Sequence, residues 1–398
     1  MEIGLVGKPN VGKSTTFAAL TLVDVEIAPY PFTTVTPNRG VAYVRAKCPH
    51  EEIGGDCSPG NAACRDGVRW IPVNVIDVPG LVPGAHEGKG LGHQFLDSLR
   101  AAEGFLHVVD LSGGTTDEGV LADPGAADPA REAAWLEDEL VFWVDGVLER
   151  NFDREARTAE REGRPVDSWI AERLTGLSVP PSAVVGALRD APVDRLHPSR
   201  WTPDDRRRVA RAILRASKPR LIAANKCDRA DRAAADRLAE QLSPLPVVPM
   251  SAEAELTLRK AARLGLVRYR PGDPTFTVVD PSRLSPPQAK ALDGLRGRLE
   301  PWNGTGVQRA LESLVYDGLH RIVVYPVEDE QRWTDSRGRR LPDAHLVPAG
   351  IDARTLAYRV HTDLGEGFIR AIDGRTHRAL AADHPLEPNA VVRIVSRR

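Results

Sequence analysis

Residues 7–15 read GKPNVGKST and directly follow the apolar run 2–6. The spacing of glycine, lysine and serine is G-x-x-x-x-G-K-S, which is typical of a loop that binds the phosphates of a nucleotide. A strand followed by a glycine-rich turn and a helix points several backbone N–H groups and a helix N-terminus at one anion. The sequence therefore predicts an α/β fold of the P-loop NTPase type, with a helix over about 15–22.

Each residue of this loop has a predicted role in nucleotide binding. Lys13 is expected to contact the β- and γ-phosphates, and Ser14 is expected to bind Mg²⁺. Gly7 and Gly12 allow backbone conformations and a close approach that a Cβ atom would block. The nucleotide-binding residues predicted from the loop are Gly7, Lys8, Pro9, Asn10, Val11, Gly12, Lys13, Ser14 and Thr15.

Two further segments are predicted to contact the metal and the γ-phosphate. Asp77 ends a second strand-like run, where its carboxylate can orient Mg²⁺ through water, and Gly80 can donate its N–H to the γ-phosphate. The segment 30–35 reads YPFTTV, and the hydroxyl of Thr34, or of Thr33, can bind the metal only while the γ-phosphate is present. The predicted Mg²⁺ site is Ser14, Thr34 and Asp77, and the predicted catalytic group is Lys13, Thr34 and Gly80.

The segment NKCD at 225–228 follows a strand-like run and predicts that the base is guanine. The Asp228 carboxylate can accept both the N1–H and the N2 amino hydrogens of guanine, whereas adenine would leave the carboxylate without donors. Asn225 is expected to brace the loop, the stem of Lys226 to cover the base, and the N–H of Ala252 to meet guanine O6. The predicted base-binding residues are Asn225, Lys226, Asp228, Ser251 and Ala252.

Together these motifs resemble the Obg-related GTPases, and within them the YchF (Obg-like ATPase) branch in its archaeal form. The resemblance rests on the phosphate loop, YPFTT with TPNRG after it, DVPGLVPGAHEGKGLGHQF at 77–95, NKCD and MSAE, and it extends to a C-terminal segment similar to a TGS domain. It implies a GTP-hydrolysing switch protein that needs Mg²⁺ and acts on the ribosome or RNA. The best-known members carry a glutamate-ending motif and prefer ATP; Asp228 favours GTP, and an ATP-preferring hydrolase is the alternative.

The residue after the D-x-x-G glycine is Leu81, where Ras-like enzymes carry the glutamine that orients the attacking water. Leucine forms no hydrogen bond, so slow intrinsic hydrolysis is predicted, and an RNA- or ribosome-binding switch with incidental hydrolysis is a second alternative. Obg-related proteins share this replacement, which implies that a loop residue, a partner or a monovalent cation positions the water. Asn10 matches a position that resembles a K⁺ ligand in cation-activated relatives, and a role in stabilising the turn is equally open. His86 and His93 are further candidates, although exposed loop histidines are more often passive.

A group of three cysteines and one histidine forms the pattern C-x-H-x6-C-x6-C, made of Cys48, His50, Cys57 and Cys64. Three thiolates and an imidazole could hold a structural Zn²⁺ ion in tetrahedral geometry. The pattern lacks the short C-x2-C spacing that identifies many zinc sites. Free thiols in a hairpin loop and a disulfide, which a reducing compartment disfavours, are the alternatives, and the sequence does not favour zinc over them.

With 398 residues the chain is long enough for two or three domains. The formal charge of −2 argues neither for nor against binding to nucleic acid, and no DNA specificity is expected. The sequence has no apolar run of membrane-spanning length and no signal peptide, which predicts a cytoplasmic protein without a membrane partner. The strand that ends at Asp110 and the strand at 220–224 lie too far apart for a single crossover of about 30 residues, which indicates an insertion. The predicted domains are a G domain at 1–111 and 218–319, a helical insertion at 112–217 and a TGS-like β-grasp domain at 320–398.

Strands and helices are also predicted in the β-grasp domain and in the insertion. In the β-grasp domain, strands are expected at 322–325, 341–347, 367–372 and 390–395, with a helix at 352–361. In the insertion, helices are expected near 166–175, 181–190 and 203–216. The last of these carries the run Arg206, Arg207, Arg208, Arg211 and Arg215, which could contact RNA phosphates or form a solvated face. The solvated face is the favoured interpretation.

Overall fold

The computed structural model describes residues 1–22, 38–78, 80, 100–177 and 179–397. Strands β1–β14 of the described residues are, in chain order, Glu2–Val6, Arg39–Lys47, Ala63–Arg65, Val68–Asp77, Gly104–Asp110, Arg220–Asn225, Val247–Pro249, Val267–Arg268, Thr277–Val278, Arg321–Val327, His345–Pro348, Phe368–Asp373, Ala379–Leu380 and Val391–Ser396. Helices α1–α13 are Lys13–Thr21, His50–Ile53, Pro129–Glu149, Phe152–Glu162, Val166–Arg173, Pro181–Asp190, Pro203–Ser217, Arg232–Leu242, Ala252–Arg263, Pro286–Leu299, Val307–Ser313, Ala353–Val360 and Thr362–Glu366. Within these ranges no helix combines the length and the apolar character that crossing a bilayer requires.

The described residues group into two compact units. The first unit comprises those in Met1–Leu20, at 38–39 and in Val75–Ala310. The second comprises those at 21–22, in Gly40–Asn74 and in Leu311–Arg398. The predicted G domain includes 40–74, and the contacts group these residues with the C-terminal part of the chain.

The first unit contains a largely parallel sheet. Strand β1 pairs in parallel with β5, β5 with β6, and β6 with β7, with Ile3 opposite Gly104 and Ile222 opposite Val247. The end of β4 lies on the other side of β1. Every residue of β5 is buried, as expected for a parallel strand covered on both faces. Because parallel strands end at the same edge, the residues that follow β1, β5 and β6 come together there.

Helices α3–α7 of the first unit form the insertion that the sequence predicts. Their apolar faces meet in one cluster that includes Leu148, Trp169, Ile170, Trp201 and Ile213. The observed helices α5, α6 and α7 lie within a few residues of the predicted ones. Helix α4 was not predicted, because most of its residues are charged and it buries only Phe152 and two alanines.

The arginine run on α7 is engaged in ion pairs within the insertion. Arg206 is buried, and its Nε donates to the Asp145 carboxylate at 3.0 Å. Arg211 and Arg215 both pair with Glu137 of α3. These arginines therefore bind carboxylates of the same unit, which argues against a run that is free to contact RNA phosphates.

The second unit contains a five-stranded sheet in the order β11-β10-β14-β12-β13. Strand β10 pairs antiparallel with β11 and in parallel with β14, and helix α12 packs on the sheet through Leu356. This is the predicted β-grasp arrangement. The predicted strand at 341–347 is wrong in its first half, since only His345–Pro348 is a strand. Leu341 has a φ of +44°, a left-handed conformation that a strand does not contain, and Pro342 follows it.

Replacing Ile170 by alanine tests the packing of the insertion. Ile170 is completely buried, so the cavity left by the truncated side chain is expected to lower the free energy of unfolding by about 2–5 kcal/mol. Urea denaturation followed by tryptophan fluorescence measures this, because Trp169 and Trp201 lie in the same cluster. The control Leu196→Ala, at a side chain that is 80% exposed, should change it by no more than about 0.5 kcal/mol. Equal losses in the two variants would contradict this packing.

Candidate nucleotide-binding site

The phosphate loop connects β1 to α1 and depends on two glycines. Gly7 and Gly12 have φ values of +148° and +104°, which side chains rarely adopt. A Cβ atom at Gly7 would lie 2.4 Å from the Val108 carbonyl oxygen, and one at Gly12 would lie 2.2 Å from Nδ2 of Asn225. Both positions therefore need glycine for conformation and for space, as the spacing of the motif predicts.

Lys13 lies at the start of α1 with its side chain buried inside the loop. Its Nζ donates a hydrogen bond to the Lys8 carbonyl oxygen at 2.9 Å. Burial lowers the pKa of Lys13, and the carboxylates of Asp77 and Glu132 partly offset that effect. Gly80 is close by, since a Cβ atom there would lie 3.1 Å from Lys13 Nζ. The structure thus brings together two of the three predicted catalytic residues.

Ser14 and Asp77 meet at the edge of the sheet. The Ser14 hydroxyl donates to Oδ2 of Asp77 at 2.9 Å. The other oxygen of the carboxylate, Oδ1, is buried and has no hydrogen-bond partner within the described ranges. Burial raises the pKa of Asp77, against the effects of Ser14 and Lys13. A hydroxyl beside a carboxylate oxygen without a partner is a donor set that fits Mg²⁺ and its bound water.

Asn225 at the end of β6 joins the phosphate loop to the base-reading segments. Its Nδ2 donates to the Val11 carbonyl oxygen at 2.8 Å, and its Oδ1 accepts from the N–H of Ala252 at 2.9 Å. The bracing role predicted for Asn225 thus has a geometric basis. The N–H of Ala252, predicted to meet guanine O6, donates to Asn225 here, so that predicted contact stays a prediction. Ser251 caps α9 by accepting from the Ala254 N–H.

The residues of NKCD adopt a tight turn after β6. Lys226 has a left-handed φ of +63°, and its Nζ donates to Oδ2 of Asp110 at 2.7 Å. Burial opposes ionisation of Asp110, but hydrogen bonds from Lys226 and two hydroxyl groups outweigh it and lower its pKa. Asp228 is half-buried, and its carboxylate takes part in no hydrogen bond or ion pair with the part of the chain that the structure describes. Cys227 is fully buried as a small filler, and burial raises the pKa of its thiol to about 12.

A buried ion pair next to the phosphate loop was not predicted from the sequence. Lys8 Nζ lies 3.0 Å from the Glu132 carboxylate and donates to the Thr115 carbonyl oxygen at 2.7 Å. Asn10 adds a hydrogen bond from its Nδ2 to the Gly119 carbonyl oxygen at 2.8 Å. The sequence contained a pattern that could have predicted this pair. Glu132 stands four residues before Leu136 on the apolar face of its helix, and a carboxylate on that face needs a partner of opposite charge.

The remaining candidates lie outside the described residues. These are Thr33 and Thr34 of the segment 30–35, and Leu81, His86 and His93 of the segment 77–95. Their roles in binding the metal or positioning water stay predictions.

Replacing Glu132 by glutamine tests its burial through the pH dependence of stability. Burial raises the pKa of Glu132 from an ordinary value of 4.5 to about 7, against the attraction of Lys8. The folded protein then binds this proton more tightly than the unfolded chain, so the Glu132 contribution to the free energy of unfolding falls as pH rises between these values. Urea denaturation across this pH window should show Glu132→Gln gaining stability relative to wild type as pH rises.

The matched control for that experiment is Glu240→Gln, at an exposed side chain of α8. Its stability should follow the wild-type curve across the window. A difference between Glu132→Gln and wild type that is the same at every pH would show that Glu132 does not titrate there.

Comparisons with known proteins identify three matching family models and several relatives. The family model described as 50S ribosome-binding GTPase matches residues 2–134. The model described as "Obg-like GTPase YGR210-like, G4 motif-containing domain" matches residues 223–329. The model of the TGS domain matches residues 339–396. A GTP-binding protein of Methanocaldococcus jannaschii is 44% identical over 99% of this chain and 98% of its own length. Obg-like ATPase 1 of Homo sapiens is 32% identical over 44% of each chain.

Two solved structures share the fold. The GTP binding protein from Pyrococcus horikoshii OT3 is 36% identical, with a TM-score of 0.81 over 100% of both chains. The Schizosaccharomyces pombe YchF GTPase is 17% identical, with a TM-score of 0.58 over 99% of this chain and 97% of the other. The predicted fold, a P-loop G domain with a C-terminal TGS domain, is confirmed. The chain belongs to the same family of P-loop GTP-binding proteins as the Methanocaldococcus jannaschii protein, and residues 223–329 match the Obg-like GTPase model.

Proposed function

We propose that this chain is a Mg²⁺-dependent GTPase that works as a slow molecular switch at the ribosome or on RNA in the cytoplasm. The observation that carries the proposal is the pair of hydrogen bonds made by Asn225. One side-chain amide connects the loop that holds Lys13 and Ser14 to the turn that holds Asp228. These two hydrogen bonds support a single site in which the phosphate-binding and base-binding residues contact one nucleotide.

Guanine is the proposed base because of Asp228. Its carboxylate is half-buried and is not used by the described residues around it, which leaves both oxygens for the paired donors of guanine. Adenine offers no such pair of donors, so binding it would leave the carboxylate unsatisfied. An ATP-preferring hydrolase, as the name Obg-like ATPase 1 suggests for one relative, is the competing function.

The phosphate end of the site is proposed to work through charge and orientation. Ser14 and Asp77 would hold Mg²⁺, with Thr34 as a further ligand, and the ion would neutralise charge on the phosphates. Lys13 keeps its ammonium at the start of α1, where a γ-phosphate would meet it. Gly80 lies next to Lys13 and would donate its backbone N–H to the same phosphate.

Slow turnover is proposed from Leu81, which offers no hydrogen bond to a water molecule. A K⁺ ion at Asn10 would supply the missing orientation. The Nδ2 of Asn10 is fixed on the Gly119 carbonyl oxygen, which leaves Oδ1 as a ligand for a cation. Turnover in potassium buffer that does not exceed turnover in sodium buffer would contradict this role.

The ribosome is proposed as the partner on the basis of the family model, described as a 50S ribosome-binding GTPase, and of the C-terminal TGS domain. We also propose that the G domain spans 1–111 and 218–319, the helical insertion 112–217 and the TGS-like domain 320–398. Co-sedimentation with ribosomes in the presence of GTP, GDP or no nucleotide tests the partner. Binding that does not depend on the nucleotide would contradict a switch.

Replacing Asp228 by alanine tests the choice of base. Wild type is expected to bind GTP about 100-fold more tightly than ATP, or about 3 kcal/mol, and the preference should disappear in the variant. Calorimetry with both nucleotides and Mg²⁺ measures this. The control Asp236→Ala, at an exposed carboxylate one helix further on, should keep the preference. Equal affinities in wild type would favour the ATP-hydrolysing alternative.

Replacing Asp77 by asparagine tests the metal site. Because the neutral amide orients the hydrated ion less well, the Mg²⁺ concentration that gives half-maximal hydrolysis is expected to rise by about 10–100-fold. Release of phosphate from GTP over a series of Mg²⁺ concentrations measures it. The exposed Asp123→Asn variant should behave as wild type. An unchanged Mg²⁺ requirement in Asp77→Asn would remove Asp77 from the site.

A further inference from the structure

Three cysteines and one histidine of the second unit converge at one point. Cys48 follows β2, His50 begins α2, Cys57 lies in the loop after that helix, and Cys64 is the middle residue of β3. One ligand atom from each of the four lies within 4.8 Å of the others. All four of the chain's cysteines are free, and Cys48 is completely buried.

The distances between the ligand atoms suit a tetrahedral metal. Zinc–sulfur bonds of about 2.3 Å and zinc–nitrogen bonds of about 2.05 Å at tetrahedral angles place two sulfurs about 3.8 Å apart and a sulfur and a nitrogen about 3.6 Å apart. The Sγ atoms of Cys48 and Cys57 are 3.9 Å apart. Cys64 Sγ and Nδ1 of His50 are 3.6 Å apart. A disulfide needs sulfurs about 2.05 Å apart, so the observed geometry is not that of a disulfide.

We propose that Cys48, His50, Cys57 and Cys64 bind a structural Zn²⁺ ion. Four protein ligands fill a tetrahedral coordination sphere and leave no position for water or substrate, which is the arrangement of a structural site. The four ligands belong to the second unit and are not among the residues proposed to bind the nucleotide. The metal therefore adds a binding site that the GTPase function does not explain.

A tight hairpin positions two of the ligands. Strands β3 and β4 pair with Cys64 opposite Arg69, and the connecting residues Asp66 and Gly67 have φ values of +49° and +75°. Positive φ at both central residues identifies a two-residue hairpin turn of the Asp-Gly kind. The N–H of Cys48 donates to the Gly67 carbonyl oxygen at 2.7 Å, which holds the first ligand against this turn. The backbone thus places the sulfurs together without a C-x2-C motif.

The charge of Arg69 supports a metal–thiolate centre. This side chain is completely buried, and its Nη2 lies 3.5 Å from Cys48 Sγ. Its Nε and Nη1 have no hydrogen-bond partner among the described residues. A buried cation needs a nearby negative charge. Three thiolates and one neutral imidazole around Zn²⁺ carry one net negative charge, which supplies it.

The site also organises a contact within the second unit. The loop between the ligands Cys57 and Cys64 hydrogen-bonds to the segment 340–344, since the Ser58 N–H donates to the Arg340 carbonyl oxygen at 2.9 Å and the Gly60 N–H to that of Pro342. Asn61 adds two bonds to the backbone of Ala344. A metal bound at both ends of this loop would therefore stabilise the hydrogen bonds between the loop and the segment 340–344.

The first experiment measures metal in the purified full-length protein. Plasma mass spectrometry is expected to find about one zinc per chain, and Cys57→Ser and His50→Ala should lose most of it. Cys227→Ala and His197→Ala are the matched controls, since these residues lie outside the cluster, and both should keep their zinc. Zinc content that is equal in all variants, or absent from wild type grown with added zinc, would overturn the proposal.

A second measurement keeps the test independent of how the variants fold. Wild-type protein stripped with a chelator and refilled with Co²⁺ should show the intense visible absorption and the thiolate charge transfer of tetrahedral cobalt. Hydrogen exchange in 340–344 should increase on stripping and return to its original level on refilling with Zn²⁺. A weak cobalt spectrum typical of six oxygen or nitrogen ligands would overturn the proposal, as would a mass two hydrogens lower per cysteine pair, which indicates a disulfide.

Discussion

The arrangement of the nucleotide site depends on one side-chain amide. Asn225 uses its nitrogen on the phosphate loop and its oxygen on the first residue of α9, and it is almost completely buried. A buried amide without partners is costly, so both bonds hold the surrounding backbone in place. The same amide explains why Gly12 cannot carry a side chain, because Nδ2 occupies the space of the missing Cβ atom. Residues 214 positions apart thereby constrain one another.

The distribution of charge follows from this packing. Three lysines surround the loop, and two of them have carboxylate partners, Lys8 with Glu132 and Lys226 with Asp110. Removing one member of a buried pair typically costs about 3–5 kcal/mol, since the other charge stays buried alone. Lys13 instead donates to a carbonyl oxygen, and its lowered pKa shows that burial outweighs the nearby carboxylates. Lys13, the lysine best placed for a phosphate, is therefore the one of the three whose charge is not paired with a carboxylate of the described residues.

The second unit contains both an apolar core and a buried region of polar and charged groups. Its C-terminal sheet has an apolar core around Leu356 and Val392, whereas the region around Arg69 contains thiols, an imidazole and a buried guanidinium. Polar and charged groups in such a place need mutual compensation rather than apolar packing. The metal site inferred for this cluster provides that compensation.

Short-range sequence patterns were enough to predict the phosphate loop, the NKCD turn, most of the helices of the insertion and the order of elements in the β-grasp domain. These features are encoded locally, in glycine positions and in the periods of apolar residues, and short-range patterns predict them. Three other features became visible only in the folded chain. Glu132 faces Lys8, and the arginines of α7 pair with carboxylates. The side chains of Cys48, His50, Cys57 and Cys64 meet at one point. The left-handed backbone of Leu341 was likewise not predictable, because the surrounding residues are of types that favour a strand. Contacts between distant residues depend on how the elements pack, and a local pattern carries no information about which distant partner will neutralise a charge or complete a site.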